Sequence, residues 1–530
     1  MGDLRIICGK DMCNDTIKSI KDFKKLNEKI ERRIKYYRLD GLLLKIHDTF
    51  LISEDTENNY LDFIAGMMVK YALLNSNIHS GFFPIYDEEF HELFRMITEY
   101  LIYDPEFEKE RDFVEDQDER FSSLLLRKIG SQARWDIRHH NMVGRTIFLY
   151  DEMIKNDESP IFIKELVNHK FEEKFGVSLL DFIKIGFLLF AQSKQPKGTN
   201  REYFEIARRD GIPIPNDEIV QKCLDQVACD PYQFKKICKE EGLMEGDLHA
   251  YKLNPLFKYP IIRPWKCNHQ EKSKDDKYIA PVPNIVLYRF TTGLYYQLFN
   301  TFNETFSTAF GDLFELYVGK LLEWCELPCK IITDNDIEKY IPEYKGKKPD
   351  YVVFCNEGVV LIECKATKYT QDMYEHGLKA EAKSCIDQIT KAIKQMNEFE
   401  NQIPILSEVC GINYTDLKVQ KVIVSFEDLI GLKEGPFRNW MDENKTEEGI
   451  KTDWQILWVW YFEEIQPHIT KGANFWSFLV DFKKEPFDKI MKEMKSETGA
   501  GYSDSVLFKY QENFFNELTK NGTLLKDYVN

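Results

Sequence analysis

The stretch that decides the fold is KKPDYVVFCNEGVVLIECKATK, residues 347–368. Two apolar runs flank the segment CNEG, and asparagine and glycine are typical of tight turns, so the pattern predicts a β-hairpin. Charged side chains nevertheless interrupt both runs: Asp350 begins the first, and Glu363 and Lys365 lie in the second. Burying charges is unfavourable unless they have partners, so this hairpin is a candidate functional site.

Alternation of side chains along the second run separates its residues into two faces. Glu363 and Lys365 share one face, and the other face is apolar throughout. Twelve residues separate Asp350 from Glu363. A hairpin of that length brings the first residue of one strand opposite the end of its partner. We therefore expect Asp350 and Glu363 to meet at one end of the sheet, with Lys365 beside them.

Two adjacent carboxylates repel each other unless they share a cation, and oxygen ligands of this kind suit Mg²⁺ or Mn²⁺. A divalent cation activates a bound water for attack on a phosphodiester. An adjacent ammonium group orients that water and offsets the charge of the transition state. The trio of Asp350, Glu363 and Lys365 thus has the side chains required for phosphodiester hydrolysis.

Helices and strands are expected on both sides of the hairpin. Helical spacing of apolar residues predicts a helix over 303–325, and the segment CKIIT at 329–333 follows as a strand. A second helix is predicted over 378–400, followed by the strand KVQKVIVSF at 418–426. In the first helix, Glu315 lies at the border of the apolar stripe, between Gly311 and Gly319. Each glycine costs about 1 kcal/mol in a helix, which suggests that another group approaches the helix closely there.

Pro349-Asp350 followed by Glu363-Cys364-Lys365 resembles the motif of the PD-(D/E)xK nuclease superfamily, which has the restriction-endonuclease-like fold. The resemblance covers residues 284–430 and implies an αβββαβ core, similar to the order of elements expected here. It implies that Asp350 and Glu363 are metal ligands and that Lys365 is the catalytic lysine.

The same resemblance implies roles for three further residues. Glu315 matches the glutamate that the first core helix of the family supplies, and it would bind the metal directly or through water. The backbone carbonyl of Cys364 would complete the ligand set. Gln388, on the helix after the lysine strand, matches a glutamine of several family branches more loosely.

Lysines are frequent around this motif, as phosphate binding requires, and such binding weakens steeply with salt. The expected nucleic-acid contacts are Lys347, Lys348, Lys368, Lys383 and Gln388. The chain as a whole carries a net charge of −17, which argues against a general nucleic-acid coat protein. It is compatible with a nuclease that binds its substrate through one local basic surface.

The 12 cysteines include no CxxC pair, which favours reduced thiols in a cytoplasmic protein over disulfides or a zinc site. No apolar run reaches the roughly 18 residues needed to span a bilayer, so we expect no membrane association. The N-terminal residues lack the features of a signal peptide. The tryptophan-rich segment 453–468 is expected to form hydrophobic core rather than to stack on bases.

At 530 residues the chain is expected to form two or three domains. We predict a multidomain protein with a mainly α-helical N-terminal domain, an α/β restriction-endonuclease-like core and a mixed C-terminal extension. The predicted bounds are 1–266 for the helical domain, 267–283 for a polar linker, 284–430 for the core and 431–530 for the extension. The helical domain would sense a trigger, block the active site, or hold a protein partner or a second copy of the chain.

The expected function is a Mg²⁺- or Mn²⁺-dependent nuclease that cuts DNA. Family members with large appended domains are frequent in restriction and anti-phage defence, so a bacterial immune role follows by analogy. Three alternatives remain open from the sequence. An RNase of the same fold would use the same residues, an inactive member would act as a binding scaffold, and a surface hairpin would have only an ordinary Glu–Lys pair.

Overall fold

The computed structural model describes most of the chain. The described residues are 19–52, 59–76, 84–103, 105, 122–124, 126–130, 135, 139–195, 199–200, 202–243, 251–263, 277–377, 384–412, 418–429, 431–433, 435–445 and 453–519.

The part that precedes residue 264 is mainly helical, as predicted. Its α-helices are α1 (Ile20–Ile34), α2 (Leu39–Ile52), α3 (Asn59–Asn75), α4 (Asp87–Ile102), α5 (His139–Ile147), α6 (Ile161–Glu165), α7 (Phe171–Phe175), α8 (Leu179–Ser193), α9 (Glu202–Arg209), α10 (Asp217–Val227) and α11 (Pro231–Glu240). Short π-helical turns at Leu126–Gly130, Phe148–Glu152 and Leu166–Lys170 accompany them. Two small two-stranded sheets lie in this region, one of them completed by a strand that follows it in sequence. The strands are β1 (Thr199–Asn200), β2 (Ala228–Cys229), β3 (Ile261–Ile262) and β4 (Lys277–Tyr278), with β1 paired to β4 and β2 paired to β3.

A mixed five-stranded sheet follows, in the spatial order β5-β6-β7-β8-β9. Its strands are β5 (Lys330–Thr333), β6 (Tyr351–Phe354), β7 (Gly358–Lys365), β8 (Lys418–Ser425) and β9 (Trp454–Trp458). The helices around it are α12 (Pro283–Phe290), α13 (Thr292–Trp324), α14 (Asp334–Tyr340), α15 (Gln371–His376), α16 (Ser384–Phe399), α17 (Ile403–Val409) and α18 (Pro436–Lys445). The chain continues as α19 (Val459–Thr470), α20 (Phe475–Phe482), α21 (Phe487–Thr498) and α22 (Val506–Thr519).

The predicted hairpin is confirmed. β6 and β7 are antiparallel, and Tyr351 pairs with Ile362. Continuing this register by one residue places Asp350 opposite Glu363. β5 is antiparallel to β6, whereas β8 and β9 run parallel to β7. The predicted order of helix, three strands, helix and strand is therefore present, and β9 adds a fifth strand that we did not predict.

The two faces of β7 pack against different helices. Val360 and Ile362 belong to the same cluster of buried side chains as the apolar stripe of α13. Val359 and Leu361 belong to a second cluster, which includes the buried residues of α16. The sheet is thus covered on both faces, and Asp350, Glu363 and Lys365 lie at one end of β6 and β7.

Helix α13 extends beyond the predicted helix because it begins at Thr292 and bends at Asn303, whose backbone has φ 51° and ψ −136°. The segment from 303 onward corresponds to the predicted helix. Its predicted apolar stripe is buried; the residues are Phe310, Phe314, Tyr317, Leu321 and Cys325.

Apolar packing continues across the predicted domain boundaries. Phe290 at the end of α12 stacks on Phe182 of α8, with ring centroids 4.7 Å apart. Ile279 and Ala280, which we had placed in the linker, are buried, and residues 267–276 of that linker lie outside the described residues. The division into domains stays a prediction. The tryptophan-rich segment forms core as predicted, with Trp454 2% exposed and Trp460 7% exposed.

Within the described residues, no single helix has the length and apolar composition to cross a membrane. One pair of helical segments, Ile161–Phe175 and Leu179–Ser193, passes that test by length and composition only when taken together, and they meet at a bend of 70°.

Gly358, at the start of β7, provides a test of the sheet packing. A Cβ at this position would lie 2.2 Å from the ring of Trp476 and 2.5 Å from the carbonyl oxygen of Lys418. We expect Gly358→Ala to destabilise the protein by about 1–3 kcal/mol, the usual effect of overpacking. Urea unfolding measures it. Gly311→Ala is the matched control, because its Cβ meets no atom within 4 Å and alanine stabilises a helix by about 1 kcal/mol over glycine. Equal effects of both changes would contradict this packing.

Candidate active site

Asp350 lies immediately before β6, where its carboxylate is tied to the neighbouring strand. The backbone N–H of Cys364 donates a hydrogen bond to Asp350 Oδ2 at 2.6 Å. The carbonyl of Asp350 in turn accepts from the backbone N–H of Asp334, at the start of α14, at 3.2 Å. Asp350 is therefore fixed at the end of the sheet by main-chain contacts on both sides.

Glu363 is 2% exposed, and both of its carboxylate oxygens are hydrogen-bonded. Lys365 Nζ donates to Oε1 at 2.5 Å, and Gln395 Nε2 of α16 donates to Oε2 at 2.7 Å. Lys365 itself is at the end of β7 with 26% of its side chain exposed. The predicted pairing of acid and amine on one face of β7 is thus present, and the amine is reachable from solvent.

Glu315 approaches the same end of the sheet from α13. Its carboxylate forms no hydrogen bond with any described residue, and Asp350 is the acid that affects its ionisation most strongly. The helix backbone at this point is contacted by Tyr351, whose hydroxyl donates to the Glu315 carbonyl at 2.9 Å. A Cβ on Gly319 would lie 2.5 Å from that hydroxyl, so this glycine makes room for Tyr351. Gly311 meets no close neighbour.

The three acids hold their protons unusually tightly. Burial, together with the charges of Asp350 and Asp334, raises the pKa of Glu315 to about 8. Burial and Asp350 likewise raise the pKa of Glu363 to about 8, against the opposing effect of Lys365. Burial raises the pKa of Asp350 to about 6, although the Cys364 amide favours its charged form. Burial lowers the pKa of Lys365, but Glu363 outweighs this and raises it. The acids are close enough to repel one another.

Two site residues were missed from the sequence. Asp334 follows β5 and adds a fourth carboxylate whose charge acts on both Glu315 and Asp350. Gln395 donates to Glu363 and also to the carbonyl of Lys348, so it joins α16 to β7 and to the segment that precedes β6. The glutamine that we had selected, Gln388, is exposed and lies seven residues earlier on the same helix. Two helical turns separate the two residues, which explains why sequence periodicity did not distinguish them.

The predicted nucleic-acid contacts differ in their surroundings. Lys347 is exposed. Lys348 forms an ion pair with Glu338, and Lys368 lies over three aromatic rings, 3.6 Å from the centroid of Tyr296. Lys383 lies outside the described residues.

The described part of the chain contains no group of three or more His, Cys, Asp or Glu side chains already arranged to hold a metal ion. The donor chemistry nevertheless suits a hard cation, because the acids at this end of the sheet offer carboxylate oxygens. The Glu315 carboxylate has no hydrogen-bond partner among the described residues, and the Asp350 carboxylate lies close enough to it to raise its pKa. A cation between them would offset their mutual repulsion.

No protein-family model, no curated protein and no solved structure matches this chain.

The raised pKa values predict how pH affects stability in the absence of divalent cations. Glu363 binds its proton more tightly in the folded chain than in the unfolded chain, where the ordinary value is 4.5. Its contribution to stability is therefore complete below pH 4.5 and is lost as the pH rises through about 8. We expect the melting temperature of the wild type, measured in chelator, to fall over this pH range. The melting temperature of Glu363→Gln should fall less. Glu28→Gln on the exposed face of α1 is the control. Equal pH slopes for wild type and Glu363→Gln would contradict the assignment.

Proposed function

We propose that the protein is a metal-dependent nuclease of the PD-(D/E)xK type that cuts DNA, with its active site at the end of β6 and β7. The observation that carries the proposal is the convergence of Glu315, Asp350, Glu363 and Lys365 from three different elements. Residues this far apart in sequence have no structural need to bring three acids and an amine to one sheet end, because a fold gains nothing from clustered like charges.

The αβββαβ core implied by the family resemblance agrees with the order of α13, β5 to β7, α16 and β8. This agreement supports the restriction-endonuclease-like fold, with β9 as an additional strand. A role in restriction or anti-phage defence is the setting that the resemblance suggests for such an enzyme, and the unpaired cysteines of the described residues suggest the cytoplasm.

Each side chain has a distinct role in the proposed reaction. Asp350, Glu315 and Glu363 would provide oxygen ligands, and the carbonyl of Cys364 would be the further ligand that the resemblance implies. Bound Mg²⁺ or Mn²⁺ would lower the pKa of a coordinated water and neutralise charge on the phosphate. Lys365 is held by Glu363 with its ammonium partly exposed, where it donates hydrogen bonds to a phosphate oxygen or to the attacking water. Gln395 holds Glu363 in the orientation that this contact needs.

Incubation of the purified protein with plasmid, linear duplex DNA, single-stranded DNA and RNA tests the proposal. Parallel reactions contain Mg²⁺, Mn²⁺ or a chelator. We expect cation-dependent cutting of DNA that Asp350→Ala abolishes. Manganese binding measured by calorimetry gives a readout besides activity, and Asp350→Ala should weaken it. Cutting and metal binding that persist unchanged in Asp350→Ala would overturn the proposal.

An RNase is the second candidate, because the same residues hydrolyse either backbone. Cutting of RNA but not of DNA in this experiment would favour it.

A further inference from the structure

Helix α1 and the turn after it form a positively charged surface in a strongly acidic protein. Residues 20–38 contain eight Lys and Arg residues and three Asp and Glu residues, a local net charge of +5 in a chain of net charge −17. We call the exposed basic residues of this segment the α1 basic face; they are Lys21, Lys24, Lys25, Lys29, Arg32, Lys35 and Arg38.

The basic side chains are concentrated on one side of the helix. At 100° per residue, Lys21, Lys25, Lys29 and Arg32 lie within about 80° of one another. Among the described residues, the three lysines form no ion pair, whereas Arg32 pairs with Glu28 of the same helix at 3.0 Å. Arg38 pairs with Asp40 at 2.6 Å. Lys21, Lys25 and Lys29 therefore present three positive charges that no described residue neutralises, and these charges are available to a polyanion.

A shallow groove of about 470 Å³ runs along this surface. Its lining residues are Lys29, Arg32, Arg33, Tyr36, Tyr37 and Glu89. Tyr36 is 63% exposed, so its ring is accessible beside the cationic side chains. Cationic groups next to an exposed aromatic ring are the combination that binds phosphates and stacks on bases.

An anionic membrane would also attract this charge, but the helix has no apolar face left for insertion. Phe23, Ile30 and Ile34 are each 3% exposed or less and pack into the N-terminal core. An amphipathic helix that binds a membrane must bury such a face in lipid. A nucleic acid requires only the exposed cationic side, so the observations favour it.

We propose that the α1 basic face binds the sugar–phosphate backbone of the nucleic acid on which the protein acts. This inference rests on the proposed function, because its ligand is the proposed substrate. It assigns substrate binding to the helical part of the chain, away from the lysines of the hairpin motif. The net negative charge of the whole chain disfavours non-specific binding elsewhere on the protein, so this surface would add to the contacts made at the active site.

The test is fluorescence anisotropy of short single-stranded and duplex DNA and of RNA, with full-length protein in chelator so that nothing is cut. The variant Lys21→Glu/Lys25→Glu/Lys29→Glu is compared with Lys489→Glu/Lys492→Glu/Lys495→Glu on α21. The control lysines are also exposed, but their helix carries Asp488, Glu493 and Glu497 in equal number. Both variants change the net charge equally, so a difference between them reports the place of the charges.

We expect the α1 variant to bind at least tenfold more weakly than wild type, and the α21 variant to bind within about twofold of it. Losing three phosphate contacts should also lower the slope of log K against log salt by about 2 to 3. Unchanged binding by the α1 variant, or equal losses in both variants, would overturn the proposal. Binding to phosphatidylserine vesicles without binding to nucleic acid would overturn it in favour of a membrane.

The outcome is separable from that of the proposed function. Binding through α1 without any cutting would retain this surface and refute the nuclease. Cutting that is lost in Asp350→Ala, together with unchanged binding by the α1 variant, would retain the nuclease and refute this surface.

Discussion

Replacing Lys365 with alanine is expected to lower the rate of phosphodiester cleavage by about 10²–10⁴-fold, the effect of removing a group that stabilises the transition state or transfers its proton. The amine is bound to Glu363 at one end of the sheet, and 26% of its side chain is exposed, so it is within reach of a phosphate. Single-turnover cutting of labelled DNA measures the effect.

The protein should remain folded in this variant. Glu363 loses its cationic partner but keeps the hydrogen bond from Gln395 at 2.7 Å. Because burial already raises the pKa of Glu363 to about 8, the carboxyl can stay protonated at neutral pH and avoids an unpaired buried charge. Circular dichroism and the melting temperature verify this point.

Lys347→Ala is the matched control for the loss of a lysine near the site. Lys347 belongs to the same motif but is exposed, and none of the described residues forms an ion pair with it. We expect it to reduce cutting by less than tenfold, as the loss of one phosphate contact would. If Lys365→Ala cut as fast as Lys347→Ala, Lys365 would be a substrate contact at most, and the proposed chemistry would be wrong.

The hairpin and the meeting of Asp350 with Glu363 could be predicted because strand alternation and turn position fix the register. A shift of one residue would turn every side chain of β7 to the other face and bury the wrong set. The helix that carries Glu315 was predictable for a similar reason, since its apolar stripe spans several turns.

The missed residues depend on information that periodicity does not contain. Gln395 and Gln388 lie on similar sides of α16, and only the packing of that helix against the sheet brings one of them to Glu363. Asp334 starts a short helix of seven residues between two strands. The capping pattern of Thr333 and Asp336 marks the start of that helix but does not indicate that it lies at the site. Strand β9 was missed because its tryptophans predict core without indicating which sheet they join. The α1 basic face was not recognised from the sequence, because lysines opposite an apolar stripe are usual for any surface helix.

The second large effect that we expect is a loss of stability when the buried contact among Arg145, Tyr317 and Glu463 is broken. Glu463 has none of its side chain exposed and Arg145 has 5%, and the guanidinium binds both carboxylate oxygens, at 2.6 and 2.8 Å. The hydroxyl of Tyr317 on α13 donates to the same carboxylate at 2.7 Å. Helices from the N-terminal part, the sheet region and the C-terminal part are thus joined at one buried point.

Glu463→Ala is expected to destabilise the protein by about 3–5 kcal/mol, because it leaves the Arg145 guanidinium buried without a counterion. Urea unfolding followed by tryptophan fluorescence measures the change. The control is Glu28→Ala, which breaks the exposed pair with Arg32 and should cost less than about 1 kcal/mol.

The double variant Arg145→Met/Glu463→Leu separates the two explanations for such a loss. If the unpaired charge is the cause, apolar replacements of similar volume should recover most of the stability, since they remove both charges at once. If the double variant is as unstable as Glu463→Ala, the cause is lost packing rather than charge.

Tyr317 lies two residues after Glu315 on α13, so a loosened contact here would also displace Glu315. We therefore expect Glu463→Ala to weaken manganese binding through the displacement of Glu315. If that is the only route, Glu463→Ala/Glu315→Gln should bind manganese no more weakly than Glu315→Gln alone.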